Sequence, residues 1–127
     1  MATIKPFRGF RPAGHADKIA CPPYDVLNSA EARQMAAGNP YSFLHVDKPE
    51  IDLPEETDLY APEVYQKAKE NLERFIQTGV LKQDPKECFY LYAQTMDGRT
   101  QYGLVAATSC DEYDKGIVRK HELTRKD

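Results

Sequence analysis

The stretch ECFYLYAQTMDGRTQYGLVAATS, residues 87–109, holds two apolar and aromatic runs joined by Asp97-Gly98. That dipeptide suits a two-residue type I′ turn, whose two central positions both take positive φ and whose twist matches the flanking strands. The pattern predicts a β-hairpin of about 88–96 and 99–108. Along the first strand Phe89, Leu91 and Ala93 fall on one face and Tyr90 and Tyr92 on the other. Apolar matter on both faces predicts that both are covered, at least in part.

Working back from the hairpin, Tyr65, Ala68, Leu72, Phe75 and Ile76 recur at helical spacing. Pro62 suits a first helical position and Gly79 a stop, so a long helix is expected at about 62–77. Its opposite face, with Lys67, Glu70, Asn71, Glu73 and Arg74, reads as solvated. A shorter helix is expected at about 29–37, where Asn28 or Ser29 caps, Glu31 favours the first turn and Gly38 follows. Between the helices the run Phe43-Leu44-His45-Val46 predicts a short strand, broken by Pro49 and Pro54. The chain before Asn28 is proline-punctuated and extended, with room only for short strands. Together these elements predict an α+β fold: a small mixed sheet built on the 88–108 hairpin and packed against the 62–77 helix.

Composition sets the class. The chain has 127 residues, 41% apolar and 29% charged, with eight tyrosines and five phenylalanines, a globular balance of about one domain's length. A net charge of −3 gives no basic footprint for nucleic acid. No apolar run approaches the ~18 residues of a membrane span, and the N-terminus carries no secretory signature, so a cytoplasmic protein without a membrane partner is expected. Cys21, Cys88 and Cys110 are odd in number and widely spaced, which reads as reduced thiols rather than a zinc site.

Four segments carry residues suited to chemistry. In PFRGFRP, residues 6–12, Arg8 and Arg11 are guanidinium forks on a proline-stiffened strand beside Gly9, suited to clamp an anion. The alternative is pairing with the chain's own carboxylates. In CPPYDV, residues 21–26, paired prolines fix the approach to Tyr24 and Asp25; a plain rigid turn, or a cis X-Pro bond, fits the same letters. In SFLHVDKPEID, residues 42–52, His45 sits in an apolar run, where a lone histidine is more often a satisfied structural side chain than a base, with Asp47, Glu50 and Asp52 nearby. That group suits a metal, a proton acceptor or a solvated loop. In VRKHELT, residues 118–124, His121 and Glu122 adjoin, but position 125 is Arg, so no H-E-x-x-H zinc motif exists. No Gly-rich phosphate loop, G-x-S-x-G elbow or kinase catalytic loop occurs.

The motifs PFRGFRP, CPPYDV, NPYSFLHVDKPEID and RKHELT, in that order, resemble the N-terminal part of the "domain of unknown function 1015" family. The resemblance spans essentially the whole chain and implies a single N-terminal domain, 1–127, of a longer protein. That family's next motif, an Asp-Gly-His-His-Arg stretch, is similar to one in free serine kinases of the ParB/sulfiredoxin-like fold. It implies a small-molecule kinase acting on a free serine-like hydroxyl when full length, inert as this piece, with a missing C-terminal part of its own chain as partner. Mg²⁺ and a nucleotide or pyrophosphate donor are implied for the full-length protein, and no cofactor or metal for the piece. The roles implied are Asp25 and Glu122 in catalysis, and Arg8, Arg11, Tyr24, His45 and His121 in holding substrate or phosphate. The rival class is a non-enzymatic ligand- or protein-binding module. A DNA-partitioning role conflicts with the acidic balance, so no nucleic-acid partner is expected.

Overall fold

The structure, a computed structural model, describes residues 1–121. In chain order its elements are β1 (Ile4–Lys5), β2 (Phe10–Pro12), α1 (Ala16–Ile19), a 3₁₀ turn (Tyr24–Val26), α2 (Ser29–Ala36), α3 (Leu44–Asp47), a second 3₁₀ turn (Pro49–Asp52) and α4 (Pro62–Gln77). Then follow β3 (Leu81–Gln83), β4 (Tyr90–Met96), β5 (Arg99–Val105), β6 (Ala107–Thr108) and α5 (Cys110–Asp114). The architecture is α+β, as the pattern implies. The chain divides into two compact units: a central one, Phe10–Lys82, and a flanking one formed by Met1–Gly9 with the chain from Gln83 onward.

In the central unit, α2 begins with a reciprocal cap. Asn28 Oδ1 accepts from Glu31 N–H at 2.9 Å and Glu31 Oε2 accepts from Asn28 N–H at 2.9 Å, satisfying two donors that a helix start leaves unpaired. Ala32 and Ala36, one turn apart on its inner face, pack with Leu44 and Ile51 as the core, flanked by Cys21 and Leu27. Small alanines let the neighbouring turns approach closely.

The strand expected at 43–46 is instead the one-turn helix α3. Val46 N–H donates to Phe43 O at 2.8 Å and Lys48 N–H to Leu44 O at 2.9 Å, so the run satisfies its backbone locally. Ser42 Oγ accepts from Leu44 N–H at 3.4 Å at the start of the turn, the local competition that draws serine to helix beginnings. Three apolar residues and a histidine fix neither period.

Helix α4 matches its predicted span but not its predicted face. It packs on α3 and on the Pro49–Asp52 turn, burying Val64, Asn71 and Phe75, with the Phe75 ring 6.3 Å from that of Phe43. Leu72 and Ile76 are 37% and 38% exposed. The helical spacing predicts Asn71 on the solvated face, opposite the apolar stripe. It is buried because its Nδ2 donates to His45 O at 2.6 Å and to Asp52 Oδ2 at 2.8 Å, so its donors are satisfied indoors.

Among the described residues the single mixed sheet gives way to three two-stranded sheets, β1–β6, β2–β3 and β4–β5. In the flanking unit, β4 and β5 pair antiparallel from Tyr90↔Val105 to Met96↔Arg99. The turn has Asp97 at φ 51° and Gly98 at φ 74°, the positive pair that the sequence predicts. Among the described residues the expected cover on the hairpin is missing: Leu91, Tyr92, Tyr102 and Leu104 are 58% to 74% exposed. Its strands belong to the flanking unit, whereas α4 packs within the central one. Every peptide bond among the described residues is trans, including those of Pro22 and Pro23. At the flanking unit's other end, Glu112 of α5 accepts from Thr3 N–H at 2.8 Å and from Thr3 Oγ1 at 3.0 Å. Those bonds hold its carboxyl below the ordinary range.

The rotated face of α4 is testable by urea denaturation. Asn71→Leu, which strands the His45 carbonyl and leaves Asp52 Oδ2 with His45 Nδ1 alone, is expected to cost about 2 kcal/mol. Leu72→Ser, at a half-buried position, is expected to cost about 1 kcal/mol, whereas Phe75→Ala, at a fully buried one, is expected to cost about 3–5 kcal/mol.

Candidate functional site

Within the central unit, the proline-bounded segment Pro49–Pro54 runs beside the first turn of α2, and the two enclose a cavity of about 320 Å³. Ser29, Arg33, Glu50, Pro54, Thr57 and Leu59 line it. Ser29 and Arg33 are four residues apart and so share one helix face. The Glu50 side chain is only 10% exposed. Its Oε1 accepts from Ser29 Oγ at 2.8 Å and lies 3.2 Å from Lys48 Nζ. Among the described residues Glu50 Oε2 has no hydrogen-bond partner.

Arg33 builds the wall. Its Nη2 donates to Glu50 O at 3.0 Å and Leu53 O at 3.1 Å, and its Nη1 lies 3.0 Å from Glu55 Oε1. Arg33 Nε is buried and, among the described residues, without a partner. Two cations, Arg33 and Lys48, thus face two carboxylates, Glu50 and Glu55, and formal charge balances around the cavity.

A second polar group braces the same unit. His45 Nδ1 lies 2.9 and 3.0 Å from the two Asp52 carboxylate oxygens, and its Nε2 lies 3.1 Å from Asn39 O. Both ring nitrogens therefore face acceptors, and Asn71 ties the same carboxylate to α4. The acidic cluster of the sequence is split among three tasks. Asp52 orients His45, Glu50 faces the cavity, and Asp47 Oδ2 lies 3.9 Å from Cys21 Sγ. Burial pushes the Asp47 carboxyl above its ordinary range. Burial first, then the Asp47 charge, raises the Cys21 thiol, so it is held as the poorly nucleophilic thiol.

The remaining sequence candidates divide between the units. Arg11 on β2, and Tyr24 and Asp25 in the 3₁₀ turn, belong with His45 to the central unit. Arg11 and Asp25 are both engaged in contacts. Arg8 and His121 belong to the flanking unit, both exposed, and Glu122 lies outside the described residues. None of these residues lines the Glu50 cavity. Ser29, Arg33 and Thr57, which do, were not singled out in sequence; the four-residue spacing of Ser29 and Arg33 is the signal that points to them. Among the described residues no three His, Cys, Asp or Glu side chains gather as a metal would require.

In the flanking unit, Arg8 is held by its Nε, which donates to Asp84 O at 2.8 Å. Its terminal nitrogens have no partner among the described residues. Beside it Gly9 N–H donates to Tyr90 Oη at 2.7 Å, and the Tyr90 hydroxyl donates to Asp84 Oδ2 at 2.6 Å. A Cβ at position 9 would stand 2.9 Å from Tyr90 Oη, so glycine is needed for the approach. The hydrogen bond to Asp84 is the largest cause that raises the Tyr90 phenol above the ordinary tyrosine range.

The fold and cavity define an α+β chain with a built polar pocket in its central unit. The family model described as "Protein of unknown function (DUF1015)" matches residues 4–127, and the chain belongs to that family. Comparison with curated proteins and with solved structures finds no match. No helix among the described residues is long and apolar enough to cross a membrane.

The Tyr90 pair carries a pH signature. A folded-state value raised above the unfolded one gives stability that is full below the ordinary tyrosine range and is lost as pH climbs through the raised value. In an NMR titration of ¹³C-labelled tyrosine, Asp84→Asn is expected to bring the Tyr90 transition down in pH; an unmoved transition would refute the pairing.

Proposed function

We propose that the chain acts as a small-molecule-binding module through the Glu50 cavity, the non-enzymatic alternative raised by the sequence. The observation that carries the proposal is a nine-tenths-buried carboxylate whose Oε2 has no partner among the described residues, in a cavity of about 320 Å³. Glu50 is paired through Oε1, and its Oε2 is not among the fully buried unpartnered atoms, so it is accessible to accept from a ligand. Here Lys48 and Ser29 engage one oxygen and leave the other for an incoming donor. The ligand that fits is small and carries an ammonium or hydroxyl group for Glu50, with hydroxyl contacts at Ser29 and Thr57 and an apolar part against Pro54 and Leu59. A free amino acid or amino alcohol has that chemistry.

The finer reading, for the longer protein, is phosphoryl transfer to a free serine-like hydroxyl, with Mg²⁺ and a nucleotide or pyrophosphate as donor. Its kinship with free serine kinases of the ParB/sulfiredoxin-like fold rests on the resemblance of sequence motifs. The observation that favours it is Arg8, exposed and pinned through Nε, with its terminal nitrogens unpaired among the described residues. Such a fork matches a phosphate. Arg11, Tyr24, His45 and His121 are the further binding groups of this reading, and Asp25 and Glu122 its proton acceptors.

Binding is tested by NMR titration of this chain with L-serine, ethanolamine and inorganic phosphate. Serine and ethanolamine are expected to shift the amides of Ser29, Glu50 and Thr57, and Glu50→Gln to weaken binding by roughly 10-fold, the scale of one charge-assisted hydrogen bond. Absence of those shifts, or unchanged affinity in the variant, overturns the site. The kinase reading is tested on the full-length protein by ³¹P NMR with serine and ATP, ADP or pyrophosphate; no transfer with any donor removes it, and transfer unchanged in Arg11→Ala removes Arg11 from its binding groups.

A further inference from the structure

The hairpin of the flanking unit is a two-stranded ribbon with solvent on both faces, and neither β4 nor β5 pairs with a third strand among the described residues. A two-stranded ribbon is marginal alone in water, and stable sheets have three or more strands. The two edges differ in how they resist further pairing. β5 carries Arg99 near its start and Gly103 in its interior, a charge and a gap in packing. β4, YLYAQTM, has no charge, no proline and no glycine. It lacks each of the sequence devices by which natural edge strands stay unpaired.

The register says which groups are presented. A two-residue I′ turn makes its flanking pair, Met96 and Arg99, a hydrogen-bonded pair, and such pairs alternate along an antiparallel ladder. Gln94·Gln101 and Tyr92·Gly103 are therefore also hydrogen-bonded. Leu91, Ala93 and Thr95 point their N–H and C=O groups away from β5, toward the open edge. On β5 the outward residues are Thr100, Tyr102 and Leu104.

We infer that β4 is a self-association edge, where a second copy of this chain adds its own β4 antiparallel about a two-fold axis through Ala93. In that register Ala93 faces Ala93 of the second copy and Leu91 faces Thr95 of the second copy, so the outward groups meet donor to acceptor. No charge opposes a like charge, because β4 has none. The product is a four-stranded antiparallel sheet, ordered β5–β4–β4–β5, in which Leu91 and Tyr92 gain cross-strand neighbours. The same operation on the β5 edge, centred on Tyr102, sets Gln101 against Gly103 and Thr100 against Leu104 and loses that packing. Closed two-fold pairing uses up both β4 edges and stops at the dimer.

The proposal is tested on this chain by sedimentation velocity and by amide hydrogen exchange over a range of concentrations. Mass is expected to double with concentration. The amides of Leu91, Ala93 and Thr95 are expected to become protected in step, while those of Thr100, Tyr102 and Leu104 stay in fast exchange. Ala93→Lys, which sets two ammonium groups together at the axis, is expected to return the protein to monomer with the exchange pattern of the central unit unchanged. A monomer at every concentration, a dimer whose protection falls on β5, or a dimer that survives Ala93→Lys overturns it. Should that variant fail to fold, the protection pattern of the unaltered chain decides alone.

Discussion

The central unit depends on one buried amide. Asn71 Nδ2 reaches the His45 carbonyl and the Asp52 carboxylate at once, binding α4 to α3 and to the turn that follows it. Because its two hydrogen-bond partners lie on one side of α4, the helix must turn that side inward. Val64 and Phe75 follow it inside, and Leu72 and Ile76 turn partly to solvent. A helix placed by apolar area alone would sit differently. Here satisfying buried polar groups, each worth about 1–3 kcal/mol if stranded, decides the face.

The same tie reaches the cavity. Asp52 is two residues from Glu50 within one 3₁₀ turn, so the group that Asn71 and His45 hold also fixes where Glu50 emerges. Arg33 grips the turn from the other side through two carbonyls. The carboxylate is thus held by backbone that is fastened at both ends, and holding it costs a ligand little further ordering.

How much of this was legible in the sequence follows the range of each interaction. The Asp97-Gly98 turn, a cap at Asn28 or Ser29 and the span of α4 depend on neighbours a few residues away, and all three were readable; the reciprocal bond with Glu31 was not read. The run at 43–46 was too short to fix a period. Asn71 depends on His45 and Asp52, 26 and 19 residues distant, so nothing local distinguished it from a solvated asparagine. The cavity failed to show for the same reason. Ser29 and Arg33 share a helix face, but their partners at 50–59 become neighbours only after folding. His45 was read as a group for substrate or phosphate with a structural alternative, and its two occupied ring nitrogens give that alternative a physical form.

Charge separates the two readings of function. Around the cavity Arg33 and Lys48 offset Glu50 and Glu55, so an ammonium or hydroxyl finds an acceptor there, whereas a phosphate would meet the Glu50 carboxylate without surplus cation. Arg8 is the opposite case. Its Nε bond to Asp84 O and the Tyr90–Gly9 contact beside it fix the base of the side chain, and no carboxylate among the described residues meets its terminal nitrogens. An acceptor-binding pocket and a phosphate-facing fork are separate requirements of phosphoryl transfer, which depends chiefly on positioning and charge neutralisation. The kinase reading rests on Arg8 with Arg11, Tyr24, Asp25, His45, His121 and Glu122, whereas the binding-module reading needs the Glu50 cavity alone. Ligand binding that depends on Glu50 but is indifferent to Arg8 is the behaviour that belongs to the simpler reading.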